Sequence, residues 1–378
     1  MIKRIAMTLL CILAFGGFLI IGINAVITFD TEDAYDRFAA AGLGMSVPKG
    51  KSYDALVSER EPYQYINLPK TSDPPLALTL YDALPPYDTD SSGQDQGDGD
   101  GFTAGSLPEG VFPVIAIDMS EKQTSEHLLC NNESKYSPDV NKLSKAPYPL
   151  TYAKPTSTST AAPTVLIIHS HGTECYLPSG DTYDENAPTR STDTSINVVA
   201  VGRAMAEALE ACGIETIHCE TMFDEESYSS SYDLSEKTVM EYIKKYPSIQ
   251  YVFDVHRDSV TKENKEKLKP VAIIDGVPVA QAMFVVGTNT HGADHPNWMD
   301  NLTVASIFQR CLIMRYGNLM RPINLRAASF NAEHAPGSIL IEVGTCGNTI
   351  DEAIGCARLL GQTIAEIIKS DGKTEASH

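Results

Sequence analysis

The chain has 378 residues, with 29 Lys and Arg against 49 Asp and Glu, giving a formal net charge of −20. A balance this acidic excludes a protein that holds nucleic acid by neutralising its phosphates, which requires a basic face. A hydrophobic fraction of 43% excludes a chain that crosses a membrane many times and one that is disordered throughout.

The first element is apolar. Residues 5–28, from Ile5 to Thr28, carry no charged side chain, and their length matches the roughly 20 residues needed to cross hydrocarbon with some tilt. Lys3 and Arg4 precede the run, and Asp30, Glu32, Asp33 and Asp36 follow it. The positive-inside bias then leaves the N-terminus in the cytoplasm and everything else outside. A cleaved signal peptide is the competing reading. It would have a shorter apolar run, and Ile23-Asn24-Ala25 is a poor cleavage site. Residues 1–29 are therefore expected to be an uncleaved, single-pass anchor in the cytoplasmic membrane.

Residues 30–110 read as an acidic, largely disordered tether. Between 30 and 109 there are 15 acidic and 5 basic residues, so this stretch carries half of the net charge of −20. The run from Ser91 to Gly101 has no apolar side chain with which to offset the entropy of ordering.

Beyond the tether, apolar runs and helical periodicity alternate. Val111 to Ile117 is a short apolar run, and residues 111–160 read as a lead-in that packs on a catalytic domain at 161–372. Tyr152 to Pro163 is a Pro/Ser/Thr linker, followed by a buried-type strand from Thr164 to His169. The spacing predicts a helix from Ile196 to Cys212, closed by Gly213, then a strand from Ile214 to His218. A helix from Ser235 to Tyr246 leads to a strand from Tyr251 to Val255. Val271 to Ile274 and Met283 to Val286 read as a strand pair joined through Asp275-Gly276. A helix from Asn301 to Tyr316, a strand from Ser338 to Val343 and a helix from Thr349 to Ile368 complete the chain. The alternation predicts an α/β three-layer domain with a mostly parallel central sheet flanked by helices. Such sheets bind and react beyond the carboxyl ends of their strands.

Three of these strand ends carry polar clusters. His171 and Glu174 are three residues apart on the turn leaving the first strand, and His256 ends another strand some 80 residues later. Two His and one carboxylate with an open fourth position form the pattern of catalytic zinc, which activates water and polarises a carbonyl. A further carboxylate must then move the proton, and Glu342, the sole acid between Ser338 and Val343, is the candidate. The plainer alternatives are a His256 paired with its neighbours Asp254 or Asp258, and a structural Glu342. His169 either continues the strand and joins His171 at the metal, or stays in the sheet as a satisfied core histidine. Arg257 and Asn331 are candidates for substrate binding; Arg257 is equally placed to pair with Asp254 or Asp258. Trp298, the single tryptophan, could stack on a sugar or serve as a buried anchor. Cys175 beside Glu174 is an alternative nucleophile, but no GxSxG elbow and no phosphate-binding glycine motif follows a strand. The eight cysteines form no CxxC pair, and no disulfide is predicted.

Five segments together carry a family resemblance. They are Asn132 to Tyr136, Val165 to Glu174, Asp254 to Ser259, Val285 to Asn289 with Asn297-Trp298, and Ala335 to Gly344 with Asn348-Thr349. Through them roughly residues 111–370, with the N-terminal anchor, resemble the stage II sporulation protein P family of membrane-anchored peptidoglycan hydrolases. Ser170 departs from that family's usual H-T-H-x-T-E pattern and leaves the candidate ligands intact. The resemblance implies a zinc amidase-like fold with a mixed sheet. It also implies cleavage of the amide between N-acetylmuramic acid and L-alanine, with endopeptidase action on cross-links also attributed to the family. The implied setting is septal wall remodelling during forespore engulfment, with the catalytic domain in the intermembrane space. The implied partners are a lytic transglycosylase and a further membrane protein. In the wider amidase superfamily the middle glutamate ligand comes from a following helix; Glu207 and Glu210 are the acids on that helix here, and Glu174 is better placed. A catalytically inactive wall-binding scaffold is the competing function.

Overall fold

The computed structural model describes residues 107–152, 162–178 and 180–372. The predicted anchor, and the tether as far as residue 106, lie outside them. Among the described residues no helix is long and apolar enough to cross a membrane.

In chain order the elements are β1 (Val111–Ile117), β2 (Cys130–Asn132), α1 (Val140–Leu143), β3 (Val165–Ile168), β4 (Thr182–Asp184), α2 (Val198–Ala211) and β5 (Thr216–His218). A 3₁₀ turn, Tyr228–Ser230, leads into α3 (Ser231–Lys245), and β6 (Tyr251–Asp258), β7 (Lys267–Ile274), β8 (Val277–Ala280) and β9 (Ala282–Val286) follow. The chain ends with α4 (Trp298–Tyr316), β10 (Ile323–Leu325), β11 (Ile339–Thr345) and α5 (Ile350–Lys369). Helix starts are fixed by side chains that satisfy otherwise orphaned amides. Asn197 accepts from the Val199 amide at 3.0 Å, and Thr349 and Glu352 form a reciprocal capping box on α5.

Among the described residues the central sheet has the order β2-β10-β9-β11-β6-β3-β5. It is mixed, not mostly parallel as the alternation of elements predicted. Strands β5, β3, β6 and β11 run one way; β9 pairs antiparallel with β11, and β10 and β2 follow β9. β9 is entered from β8 through the single residue Gln281. The chain therefore arrives at β9 from a second sheet, of order β4-β1-β7-β8.

That second sheet also corrects the predicted strand pair. Residues 271–274 pair with β8, not with 283–286, across the two-residue turn Asp275-Gly276. Both turn residues have positive φ, 52° and 83°, as a tight type I′ hairpin demands. The predicted lead-in at 111–160 supplies β1 to this sheet and β2 to the edge of the central one.

The two faces of the central sheet are covered unequally. Val165 and Ile167 of β3, Phe253 and Val255 of β6, and Ile339, Ile341 and Val343 of β11 join one large core with α2, α4 and α5. Leu166, Ile168 and Val252 meet only a small cluster that includes Val239 of α3. Because side chains alternate along a strand, Asp254, His256 and Glu342 fall on the thinly covered face. These polar groups are buried.

Candidate metal centre

β3 and β6 pair in register with Ile168 opposite Asp254, and β6 and β11 pair with His256 opposite Glu342. The alternation of β3 continues two residues past its last ladder pair. His169 turns to the large core and Ser170 to the thin face, where Ser170 donates backbone N to Asp254 Oδ1 at 2.8 Å and Oγ to Asp254 Oδ2 at 2.7 Å. The chain then turns, and the Glu174 amide bonds the His171 carbonyl at 3.2 Å. This turn swings both His171 and Glu174 to His256.

His171, Glu174 and His256 are all buried and offer one ligand atom each within 4.8 Å of one another. Glu174 Oε1 is 3.9 Å from His171 Nδ1, and Oε2 is 3.4 Å from His256 Nδ1. Ligands bound tetrahedrally to zinc at ~2.0–2.1 Å lie about 3.3 Å apart, so the spacing is close to what one ion requires. His256 Nε2 faces Asp254 Oδ1 at 2.9 Å and Ser170 Oγ at 2.8 Å. With Nε2 donating to Asp254, Nδ1 turns a lone pair toward the Glu174 carboxylate. Two acceptors at this distance need a positive charge between them, a proton or a metal ion. The His256 pKa accordingly lies well above its usual range, although burial alone would lower it, because Asp254 and Glu174 favour the charged ring. Burial works against an ionised Glu174 too, but Arg257, His256 and His171 outweigh it and hold the carboxyl well below the usual range. Burial and the neighbouring His256 lower His171 to about 4, so at neutral pH its ring is uncharged and able to ligate. Its Nε2 is buried and has no hydrogen-bond partner among the described residues. This donor set of two imidazoles and one carboxylate, held by a carboxylate behind one imidazole, fits zinc.

Glu342 lies on the same face, and its Oε2 is also buried without a hydrogen-bond partner among the described residues. Burial first, and Asp258 second, push its pKa up to about 8. Asp258 is itself paired to Arg321 at 2.7 Å.

The other expected site residues are placed elsewhere. His169 is not brought to the triad. It is fully buried on the opposite face, with Nδ1 2.8 Å from the Val255 carbonyl oxygen and Nε2 2.9 Å from His218 Nε2. Burial and His218 hold it down at about 3. Arg257 follows His256 on the strand and therefore points the other way. Its Nε donates to the Cys175 carbonyl at 3.2 Å and its Nη2 to the Thr189 carbonyl at 2.8 Å, stapling the 173–190 segment, while its amide faces Glu174 Oε2 at 3.3 Å. Asn331 donates Nδ2 to the Tyr232 carbonyl at 2.8 Å and to Ser235 Oγ at 3.2 Å, which ties the β10–β11 connection to α3. Trp298 stacks on Tyr136 at 4.4 Å between ring centroids. The Cys175 thiol donates to the Pro188 carbonyl at 3.2 Å, and burial raises its pKa, which suits a structural thiol better than a nucleophile.

Four further side chains surround the triad. Tyr228 stacks on the His171 ring at 4.2 Å and Tyr232 meets it edge-on at 5.3 Å. Arg190 lies over Tyr228 at 4.5 Å and pairs with Asp224 at 2.7 Å, and Asp224 also accepts from the Thr173 amide and hydroxyl. Asp254, two residues before His256 on the strand and hence on its face, is the neighbour that the sequence offered as a pairing partner of His256.

The family model for Stage II sporulation protein P (SpoIIP) matches residues 113–365. The stage II sporulation protein P of Bacillus subtilis (strain 168) is 26% identical over 224 residues. That match covers 56% of this chain and 53% of the relative, so the chain spans about half the length of the curated relative it matches. An N-acetylmuramoyl-L-alanine amidase from Clostridium difficile 630 superimposes with a TM-score of 0.36 at 14% identity, over 55% of this chain and 98% of that one. The CwlD amidase of Clostridioides difficile, solved in complex with the GerS lipoprotein, gives a TM-score of 0.33 at 14% identity over 55% and 95%.

Proposed function

The chain belongs to the stage II sporulation protein P family, and from its buried triad we propose that it is a zinc-dependent peptidoglycan hydrolase. In this reading it cleaves the amide between N-acetylmuramic acid and L-alanine and works in septal wall remodelling during engulfment. Residues 1–29 anchor it in the cytoplasmic membrane with the catalytic domain outside, where a lytic transglycosylase and a further membrane protein are its partners. The observation that carries the chemistry is the convergence of His171, Glu174 and His256, with Glu342, whose Oε2 is buried without a hydrogen-bond partner among the described residues, in register beside His256.

Each residue has a task. Zinc, when bound by His171, Glu174 and His256, supplies an acidified water and a polarised substrate carbonyl. Asp254 fixes the His256 ring and its tautomer through the 2.9 Å contact at Nε2. Tyr228 and Tyr232 clamp the His171 ring, and the Arg257 amide steadies Glu174. Glu342 takes a proton and returns it to the leaving amine, and a carboxyl tuned upward to about 8 suits a group that does both near neutrality. Arg190, partly exposed beside Glu174, is the candidate contact for a stem-peptide carboxylate.

The test is mass spectrometry of intact peptidoglycan after incubation with the purified protein, with zinc or with a chelator. Stem peptides with free L-alanine N-termini are expected, and they should vanish with chelator and in His171→Ala and Glu342→Ala. Broken cross-links with intact glycan–peptide bonds would reassign the enzyme as an endopeptidase. Absence of any metal-dependent product would leave a wall-binding scaffold.

A further inference from the structure

Arg321 is a buried cation that the chemistry above does not use. It is only 5% exposed, and a guanidinium so placed needs partners for its donors. Nη2 has one, Asp258 Oδ2 at 2.7 Å, and the other oxygen of that carboxylate accepts from the Ser259 amide at 2.7 Å. Nη1 is buried and has no hydrogen-bond partner among the described residues.

The backbone puts this pair on the face of the triad. Asp254, His256 and Asp258 are two residues apart along β6, so all three project from the thinly covered face. On the next strand Glu342 lies opposite His256 on one side and opposite Met283 of β9 on the other. Ala282, the residue before Met283, bridges Met320, and both of these belong to the large core. Arg321 follows Met320, and its amide donates to the Ala282 carbonyl at 2.7 Å. Its side chain therefore leaves from the opposite face, the one that carries Glu342. β9 and β11 lie between it and β6 in the sheet, and the side chain crosses both to meet Asp258. Its charge acts on Glu342, partly offsetting the rise that burial and Asp258 impose there. Arg321 Nη1 and Glu342 Oε2 nevertheless leave each other unpartnered. A donor and a carboxyl oxygen, both unsatisfied, thus stand on the triad's face.

Building on the hydrolase reading above, we propose that Arg321 Nη1 donates a hydrogen bond to the carbonyl oxygen of the amide being cleaved, which makes Arg321 a further catalytic residue. A substrate carboxylate is a poorer match, because Asp258 already neutralises the guanidinium and Glu342 stands near it. A carbonyl oxygen brings no net charge on binding and gains one in the transition state, where a preorganised donor counts most. Water oxygen bonds to the carbonyl carbon, the C=O π pair moves onto the carbonyl oxygen, and a water proton passes to Glu342. The carbonyl then re-forms, the C–N bond breaks, and Glu342 gives the proton to the amine nitrogen. Arg321 exchanges no proton. Asp258, holding Nη2, is the positioning residue that keeps Nη1 in place.

The test is steady-state kinetics of the full-length, detergent-solubilised, zinc-loaded protein on soluble peptidoglycan fragments. Arg321→Gln alone strands the buried Asp258 charge and endangers the fold, so the neutral pair Arg321→Gln/Asp258→Asn carries the comparison, with zinc content and melting temperature measured alongside. With both of these as in the wild type, kcat should fall about 100- to 1,000-fold and KM by no more than a few fold either way. A phosphinate analogue, which carries the charged oxygens of the adduct on tetrahedral phosphorus, should lose affinity by a similar factor in titration calorimetry. A kcat within threefold of wild type would overturn the proposal. So would a loss confined to KM, which would mark a contact made equally to the bound substrate. A wild-type protein that releases no metal-dependent product would instead sink the hydrolase reading, and this proposal with it.

Discussion

Glu342→Gln should make the metal-free protein more stable while abolishing its proposed catalysis. The Glu342 pKa stands at about 8 in the folded chain, against an ordinary value of 4.5. A raised acid binds more protons folded than unfolded between those two values. Stability is therefore fully present below pH 4.5 and falls as pH rises through 8. At about 1.4 kcal/mol per pH unit, the carboxyl costs about 3 kcal/mol at pH 7 and about 5 kcal/mol above pH 8. Glutamine matches the shape of the protonated side chain and does not titrate, so the variant escapes this cost. The assay is urea unfolding of chelator-treated wild type and variant from pH 4.5 to 9. The free-energy difference should be near zero at the acid end and open progressively toward pH 8. Parallel curves across the range, or a variant less stable than wild type at pH 8, would refute the account of a carboxylate destabilised by burial and by Asp258.

Two smaller perturbations probe the supports of the site. Asp254→Asn removes the charge behind His256 Nε2 and should weaken zinc binding about 10–100-fold, read by competition with a chromophoric chelator. Gly202→Ala would place a Cβ 2.4–2.5 Å from the His169 ring and 2.9 Å from His218. Overpacking of this kind should cost about 1–3 kcal/mol in urea unfolding, with the α2 face of the sheet, not the triad, absorbing the strain.

Periodicity sufficed for the long elements because each buries a continuous stripe. α2, α4 and α5 lie where helical spacing placed them, with starts displaced by a few residues, and Asn197 and Thr349 cap α2 and α5. Strand direction was not legible, since β9 has the apolar run of a buried strand whichever way it points. The chain enters it from β8 through one residue, and β8 is itself defined by a tight turn that sequence reading assigned to a different partner. The triad was legible because its ligands sit at strand ends with chemistry that burial would otherwise penalise. Tyr228, Tyr232 and Asp224 were not, because aromatic rings and ion pairs at helix starts and in loops occur on any surface. Nothing in their spacing marks them.

The histidines at 169 and 171 show how narrowly geometry decides a role. Both follow the same strand, two residues apart, and an unbroken strand would point them to one face. Alternation does hold through residue 170, which carries His169 into the large core against Gly202 and His218, and Ser170 onto Asp254. One residue later the backbone leaves the sheet, and the bond from the Glu174 amide to the His171 carbonyl closes the turn. A ligand pair spaced i, i+3 on a turn converges only if the turn begins at its first member. The side-chain and backbone bonds of Ser170 to Asp254 pin the last strand residue, so the serine that departs from the family pattern helps to fix where the turn starts.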